Sequence, residues 1–183
     1  MLIDEFAPEF DVEETHRLEI AASASAVYAA LWTTDLGGSR IVRGLMTLRS
    51  LPKMLFGAGA KKENAAPVAF TLETLITAGF GKLAEDEGRE VVLGVNGRFW
   101  RPVDNLLPFR REDFARPVPV GTARAVWNFH VTGISPHRTL LTTQTRVLCG
   151  DATSRLKFRA YWVFVRPFSG WIRMVMLRAI ADE

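Results

Sequence analysis

The sequence predicts an α+β domain in which an antiparallel sheet packs against a long C-terminal helix, and three observations carry that prediction. Between residues 68 and 149 apolar and polar side chains alternate with a period of two, as half-buried strands require. The alternating segments are joined by turn sequences with no crossover helix between them, which disfavours a parallel sheet. From residue 151 onward the period changes. Phe158, Tyr161, Val165, Phe168, Ile172, Val175 and Ala179 recur at spacings of three and four, forming one apolar stripe of a long helix.

The elements follow in order. Residues 15–20 set Arg17 and Glu19 against His16, Leu18 and Ile20, a short strand. Ser23 can accept a hydrogen bond from a first-turn amide of the helix that follows, where Val27, Ala30 and Leu31 recur at helical spacing until Gly37 and Gly38 end it. A second short helix is predicted over 41–51, with Leu45 and Leu48 on one face and Pro52 as its stop, and residues 57–64 read as a loop. Strands are then predicted over 68–77, 80–84, 90–100, 122–132 and 140–149. Glu85-Asp86-Glu87-Gly88 supplies one hairpin turn and residues 133–138, with Pro136, another.

On these strands Val91, Leu93, Val95 and Phe99 oppose Asn96 and Arg98, while Ala125, Trp127, Phe129 and Val131 oppose Arg124, Asn128 and His130. One sheet face is thus apolar and aromatic. The last strand sends Thr143 and Thr145 to the same face as Leu141 and Val147, a mixture suited to a pocket wall. Four prolines make 101–119 an irregular segment. Asp151, Thr153 and Ser154 are the caps of the final helix, and Pro167 is expected to kink it without disturbing the register of its stripe.

The whole chain, residues 1–183, reads as one domain. Hydrophobic residues make up 48% of it, and five Trp and twelve Phe are enough for a packed core without disulfides or a structural metal. The lone Cys149 cannot form an internal disulfide and reads as a buried thiol on a strand. Asp4, Glu5, Glu9, Asp11, Glu13 and Glu14 make the start acidic, the opposite of a signal peptide. No apolar run reaches the roughly 18 residues of a spanning helix, so a cytoplasmic location is expected. A net charge of +3 is too small for a dedicated nucleic-acid binder, and no aromatic platform accompanies it, so no nucleic-acid partner is expected.

Several segments, taken with this element order, resemble a known family. They are Glu19-Ile20-Ala21-Ala22-Ser23-Ala24-Ser25-Ala26-Val27-Tyr28-Ala29-Ala30-Leu31, Gly97-Arg98-Phe99-Trp100, Trp127-Asn128-Phe129, Thr143-Gln144-Thr145-Arg146-Val147, Tyr161-Trp162 and Arg166-Pro167-Phe168-Ser169-Gly170. Together they resemble the helix-grip superfamily of pollen allergens, START-type lipid-transfer domains and polyketide cyclases, also called SRPBCC, and within it functionally unassigned bacterial members. The resemblance implies a curved antiparallel sheet of six to seven strands on a long C-terminal helix, with two short helices after the first strand. Six strands can be placed, so a seventh is expected within 101–119.

It also implies a cavity between sheet and helix for a hydrophobic or aromatic small molecule or lipid, bound as by a carrier or sensor. The candidate ligand-binding residues are Phe99, Trp127, Phe129, Thr143, Thr145, Tyr161 and Val165. The kinked helix and the 101–119 segment are the expected gate.

Catalytic motifs are missing from the sequence. His16, His130 and His137 fall on different elements without zinc spacing, so neither a metal nor a cofactor is expected. No nucleophile elbow is present, and Cys149 has no nearby base. The enzymatic alternative is a polyketide cyclase or aromatase-like reaction using Arg98, Tyr161, His130 or Asp104 as acid or base. A further alternative is an interaction module. Arg155, Arg159, Arg166 and Arg173 form a second stripe on the last helix with Trp162 beside it, suited to an anionic membrane surface or an acidic partner.

Overall fold

The computed structural model describes residues 1–35, 71–77, 79–102 and 105–182. The predicted helix over 41–51, the Gly37-Gly38 stop, the 57–64 loop and Asp104 lie outside the described residues. The elements run α1 (Ile3–Phe6), β1 (Val12–Ile20), α2 (Ala24–Thr33), α3 (Leu72–Thr77), β2 (Gly81–Asp86), β3 (Glu90–Gly97), β4 (Leu106–Leu107), a 3₁₀ turn (Arg111–Ala115), β5 (Ala123–Ser135), β6 (Arg138–Cys149) and α4 (Ala152–Ala181). The strands form one antiparallel sheet in the order β1-β6-β5-β3-β2, with β4 on β3. This is the helix-grip arrangement: a curved antiparallel sheet with a long C-terminal helix across it.

Local chemistry explains most boundaries. Ser23 accepts from Ala26 N at 3.3 Å and starts α2, which ends at Thr33, ahead of the predicted glycine stop. The hairpin between β2 and β3 turns at Gly88, whose φ of 81° is a conformation other residues resist. The second hairpin joins β5 and β6 between Ser135 and Arg138, as its Pro136 predicts. β3 stops at Gly97 rather than at residue 100. A Cβ there would meet Asn105 O at 2.2 Å, because the chain folds back as β4, the strand expected within 101–119.

The predicted strand over 68–77 is corrected in its described part: residues 68–70 lie outside the described residues, and its last six residues are α3. Thr71 caps them, accepting from Thr74 N at 3.3 Å, and Leu72 and Leu75 are buried three residues apart. The β-branched residues Thr71, Thr74, Ile76 and Thr77 favour a strand locally, and tertiary packing overrides them.

Two layers cover the sheet. On one face Val91, Leu93, Phe129, Val131 and Leu141 pack against Val27, Tyr28 and Leu31 of α2, Leu72 and Leu75 of α3, and Met176, Leu177 and Ile180 of α4. On the other, Leu83, Val92 and Val126 pack against Ile3 and Ala7 at the N-terminus and Phe114 of the 3₁₀ turn. The division into one apolar and one polar face therefore fails at β3, which is buried throughout. Its polar residues are anchors. Glu90 accepts from Leu2 N at 2.8 Å, Ile3 N at 3.3 Å and Asn128 Nδ2 at 2.6 Å. Arg124 donates to Asp113 O at 2.7 Å, Phe114 O at 3.2 Å and Arg116 O at 2.9 Å, clasping the 3₁₀ turn.

A third cluster joins Val95, Phe99, Ala123, Val147 and Cys149 to Phe158 at the start of α4. Cys149 ends β6 as a buried thiol, and burial, with Asp11 nearby, pushes its pKa up to about 12.

The helix α4 runs unbroken through Pro167. Its apolar face does not keep the predicted register at its far end: over residues 173–182 the buried side chains are Met176, Leu177 and Ile180, whereas Val175 and Ala179 are only half-buried. A mid-helix proline removes a backbone donor and crowds the preceding turn, and the inward face shifts by about one residue across it.

Asp151 fastens the start of α4. Its carboxylate accepts from Ser154 Oγ at 2.6 Å, Gly121 N at 2.6 Å and Ser154 N at 2.9 Å, and these bonds draw its pKa down from 3.8 to about 2. A depressed carboxylate pKa contributes stability that is complete above the unfolded value and lost as pH falls through the folded one. Asp151→Ala is accordingly expected to lower the urea midpoint at pH 7 and to approach the parent protein near pH 2. An undiminished gap at pH 2 would mean that the carboxylate's charge is irrelevant there.

Candidate functional site

The strand register aligns the site. Across β1, β6, β5 and β3 the opposed residues run Glu14, Thr145, Trp127, Leu93 in one row and His16, Thr143, Phe129, Val91 in the next. Directly opposed residues share a face, and this is the face that α4 covers. Each row passes from an ionisable side chain through a hydroxyl and an aromatic ring to an aliphatic one.

Hydrogen bonds tie the rows together. Trp127 Nε1 donates to Thr143 Oγ1 at 2.6 Å, and the Thr143 hydroxyl donates to Asn128 O at 2.8 Å. His16 Nε2 lies 3.2 Å from Glu14 Oε1, the two being neighbours on one side of β1. Arg173 reaches down from α4. Its NH1 donates to Thr145 Oγ1, and its guanidinium carbon stands 5.5 Å from the centroid of the Trp127 ring. Trp127 in turn contacts Phe129 at 4.9 Å and Phe80 at 6.2 Å between centroids.

The electrostatics are those of a desolvated site. Burial pulls the Arg173 guanidinium down to about 10, opposed through space by the Glu14 carboxylate. The Glu14 side chain is only 10% exposed, and its Oε2 is buried without a hydrogen-bond partner. Gly170 closes over the pair: a Cβ at that position would lie 3.1 Å from Glu14 Oε1 and 3.3 Å from His16 Cε1. A glycine is what allows the helix backbone to come so near.

The seven predicted ligand residues separate. Trp127, Phe129, Thr143 and Thr145 belong to the two rows. Phe99 and Tyr161 sit around Phe158 in the third cluster, at centroid distances of 6.1 and 6.0 Å. Val165 is half-buried on α4, between those groups along the helix.

The predicted arginine stripe does not hold together. Arg173 faces the sheet, and Arg155 Nε lies 2.5 Å from Asp11 Oδ1 as an ion pair, off the line of a hydrogen bond. Only Arg159 and Arg166 of the four are exposed, and Trp162 stacks on Phe158 at 5.7 Å. Arg173 is displaced from the stripe by the shift across Pro167.

Sequence reasoning missed Glu14, His16 and Arg173 as a group. The signal available was the spacing of Glu14 and His16, two residues apart on the apolar side of β1.

The acid/base candidates are not gathered. Arg98 Nε donates to Gly121 O at 3.2 Å, and His130 opposes Glu90 and Thr142 on the other face, where burial lowers its pKa. Among the described residues no three His, Cys, Asp or Glu side chains come together as metal ligands.

Two hollows open elsewhere. One of about 310 Å³ lies between Phe6, Phe114 and Arg146, and one of about 370 Å³ between Arg98, Trp100 and Lys157. Neither borders the rows, and the arginines of the first are spent on structure: Arg146 pairs with Asp4 at 2.8 Å and Glu13 at 3.1 Å.

No family model and no curated protein matches the chain. Solved structures of Bet v1-like, SRPBCC-type fold do resemble it. Truncated norcoclaurine synthase from Thalictrum flavum is 14% identical with a TM-score of 0.40, covering 93% of this chain and 91% of its own. The Zhui aromatase/cyclase from Streptomyces sp. R1128 is 12% identical with a TM-score of 0.33, covering 93% and 92%. Human STARD10 is 10% identical with a TM-score of 0.31, covering 92% and 62%. The fold assignment stands on this chain's own element order and register.

If Glu14 and Arg173 serve a site rather than the fold, replacing both with methionine removes two desolvated charges at little cost. The double variant Glu14→Met, Arg173→Met is expected to be as stable to urea as the parent, or more stable by up to about 4 kcal/mol. A loss of more than about 2 kcal/mol would assign the pair a structural role instead.

Proposed function

We propose that the chain holds an apolar or aromatic small molecule between the inner sheet face and α4, as a cytoplasmic carrier or sensor. The observation that supports this reading most is the enclosure of Glu14, His16, Arg173 and two threonine hydroxyls within an otherwise apolar grip. A helix that only had to be packed on a sheet is served equally well by aliphatic residues, whereas buried charges cost free energy unless something repays them. Small-molecule sites have this composition: an apolar wall, supplied here by Trp127, Phe129 and Phe80, with a few convergent polar groups that set orientation. A catalytic reading has weaker support, because Arg98, Tyr161 and His130 stand apart. Native mass spectrometry of protein purified from the cells that make it is expected to reveal a stoichiometric apolar compound, released on denaturation. Protein that is uniformly empty counts against a carrier.

One further observation favours a second reading, contact with an anionic membrane surface. On the outer side of α4, Leu156, Val163 and Phe164 are 71%, 71% and 76% exposed, with Lys157, Arg159 and Arg166 exposed among them. The 30 residues of this helix contain no Asp or Glu. No described helix is long and apolar enough to cross a membrane, so the contact is peripheral. The protein is expected to sediment with vesicles containing phosphatidylglycerol and not with pure phosphatidylcholine, and Val163→Ser with Phe164→Ser to abolish the difference. Absence from both pellets sinks this reading.

A further inference from the structure

We infer that the molecule held against α4 carries a neutral hydroxyl group, phenolic or aliphatic, that donates to Glu14 Oε2 and accepts from Arg173. The inference rests on the small-molecule reading above and adds the chemistry of the ligand's polar end.

Glu14 presents an unpartnered acceptor. Glu14 Oε1 faces His16 Nε2 at 3.2 Å, but Oε2 is buried with no donor, on a side chain only 10% exposed. A buried carboxylate oxygen without a donor is costly, and a bound group that supplies one is correspondingly favoured.

The surroundings decide which donor. Thr145 stands directly opposite Glu14 in the strand register, and its hydroxyl accepts from Arg173. An acceptor and a guanidinium therefore flank the same place on the sheet. A ligand carboxylate there meets Arg173 favourably but is repelled by Glu14; an ammonium meets Glu14 but is repelled by Arg173 and loses its hydration. A hydroxyl is complementary to both, since it donates one hydrogen bond and accepts another without adding charge. Gly170 brings the helix backbone over Glu14 and His16 and keeps bulk water off the carboxylate, which strengthens each of these bonds. The remainder of the molecule lies toward the Trp127 and Phe129 rings, the next residues along the two rows.

Four naphthalene probes test this by calorimetry with the full chain at pH 7: 2-naphthol, 2-methylnaphthalene, 2-naphthoate and 2-naphthylmethylammonium. Naphthol is expected to bind about ten- to a hundredfold more tightly than methylnaphthalene, and more tightly than either ion. Glu14→Met is expected to bring the ratio of naphthol to methylnaphthalene affinity close to one, with Glu14→Gln intermediate, a milder change that serves if the methionine variant does not fold. Equal affinity of the parent for naphthol and methylnaphthalene means that water alone serves Oε2, and it overturns the hydroxyl inference while leaving small-molecule binding intact. Preference for naphthoate or the ammonium overturns it likewise. Binding of none of the four overturns both readings.

Discussion

The strand β3 has no face left for water, and most of the architecture follows from that. Val91, Leu93 and Val95 look one way and Val92 the other, so the sheet needs a cover on each side. The helices α2, α3 and α4 supply one cover. The other is improvised from a four-residue N-terminal helix and a 3₁₀ turn, neither able to hold itself in place by burial alone. Polar residues on the sheet fasten them: Glu90 takes the first backbone amides and Arg124 takes the carbonyls of the turn. Gly94, between these anchors, leaves the space that the Phe114 ring fills, for a Cβ there would lie 2.4 Å from it. The buried charges on this side are accounted for by the backbone groups they hold.

Those on the helix side are not all accounted for in this way. Glu90 has three donors and Arg124 four acceptors. Glu14 has one unfilled oxygen, and Arg173 rests on a hydroxyl and an aromatic ring. A network in which every member is satisfied rigidifies a fold. A network left incomplete in a dry place keeps an acceptor that nothing in the chain fills.

The fold was legible where local and global preferences agree. The hairpins at Gly88 and Pro136, the Ser23 and Asp151 caps and the alternation along β5 and β6 each follow from neighbouring residues. α3 was not legible, because its threonines and isoleucine favour a strand and only burial of Leu72 and Leu75 against other elements makes it helical. The outer cover was equally hidden, since nothing local tells an acidic N-terminus that it will lie on a sheet. At the site, Trp127, Thr143 and Thr145 could be read from strand period. Arg173 could not: extended through Pro167, helical period puts it with Arg166 on the outside, and a shift of about one residue turns it inward.

The buried thiol of Cys149 gives the chain an internal witness to its own opening. Held near 12 and shut within the cluster that anchors the start of α4, it carries almost no thiolate in the folded molecule, and the thiolate is the form that reacts. As the one cysteine in 183 residues, it makes every equivalent of label count one molecule whose β6 end has come away from the helix. A thiol reagent concentrated enough to outpace reclosing therefore reads the frequency of that opening, with no tag or engineered residue.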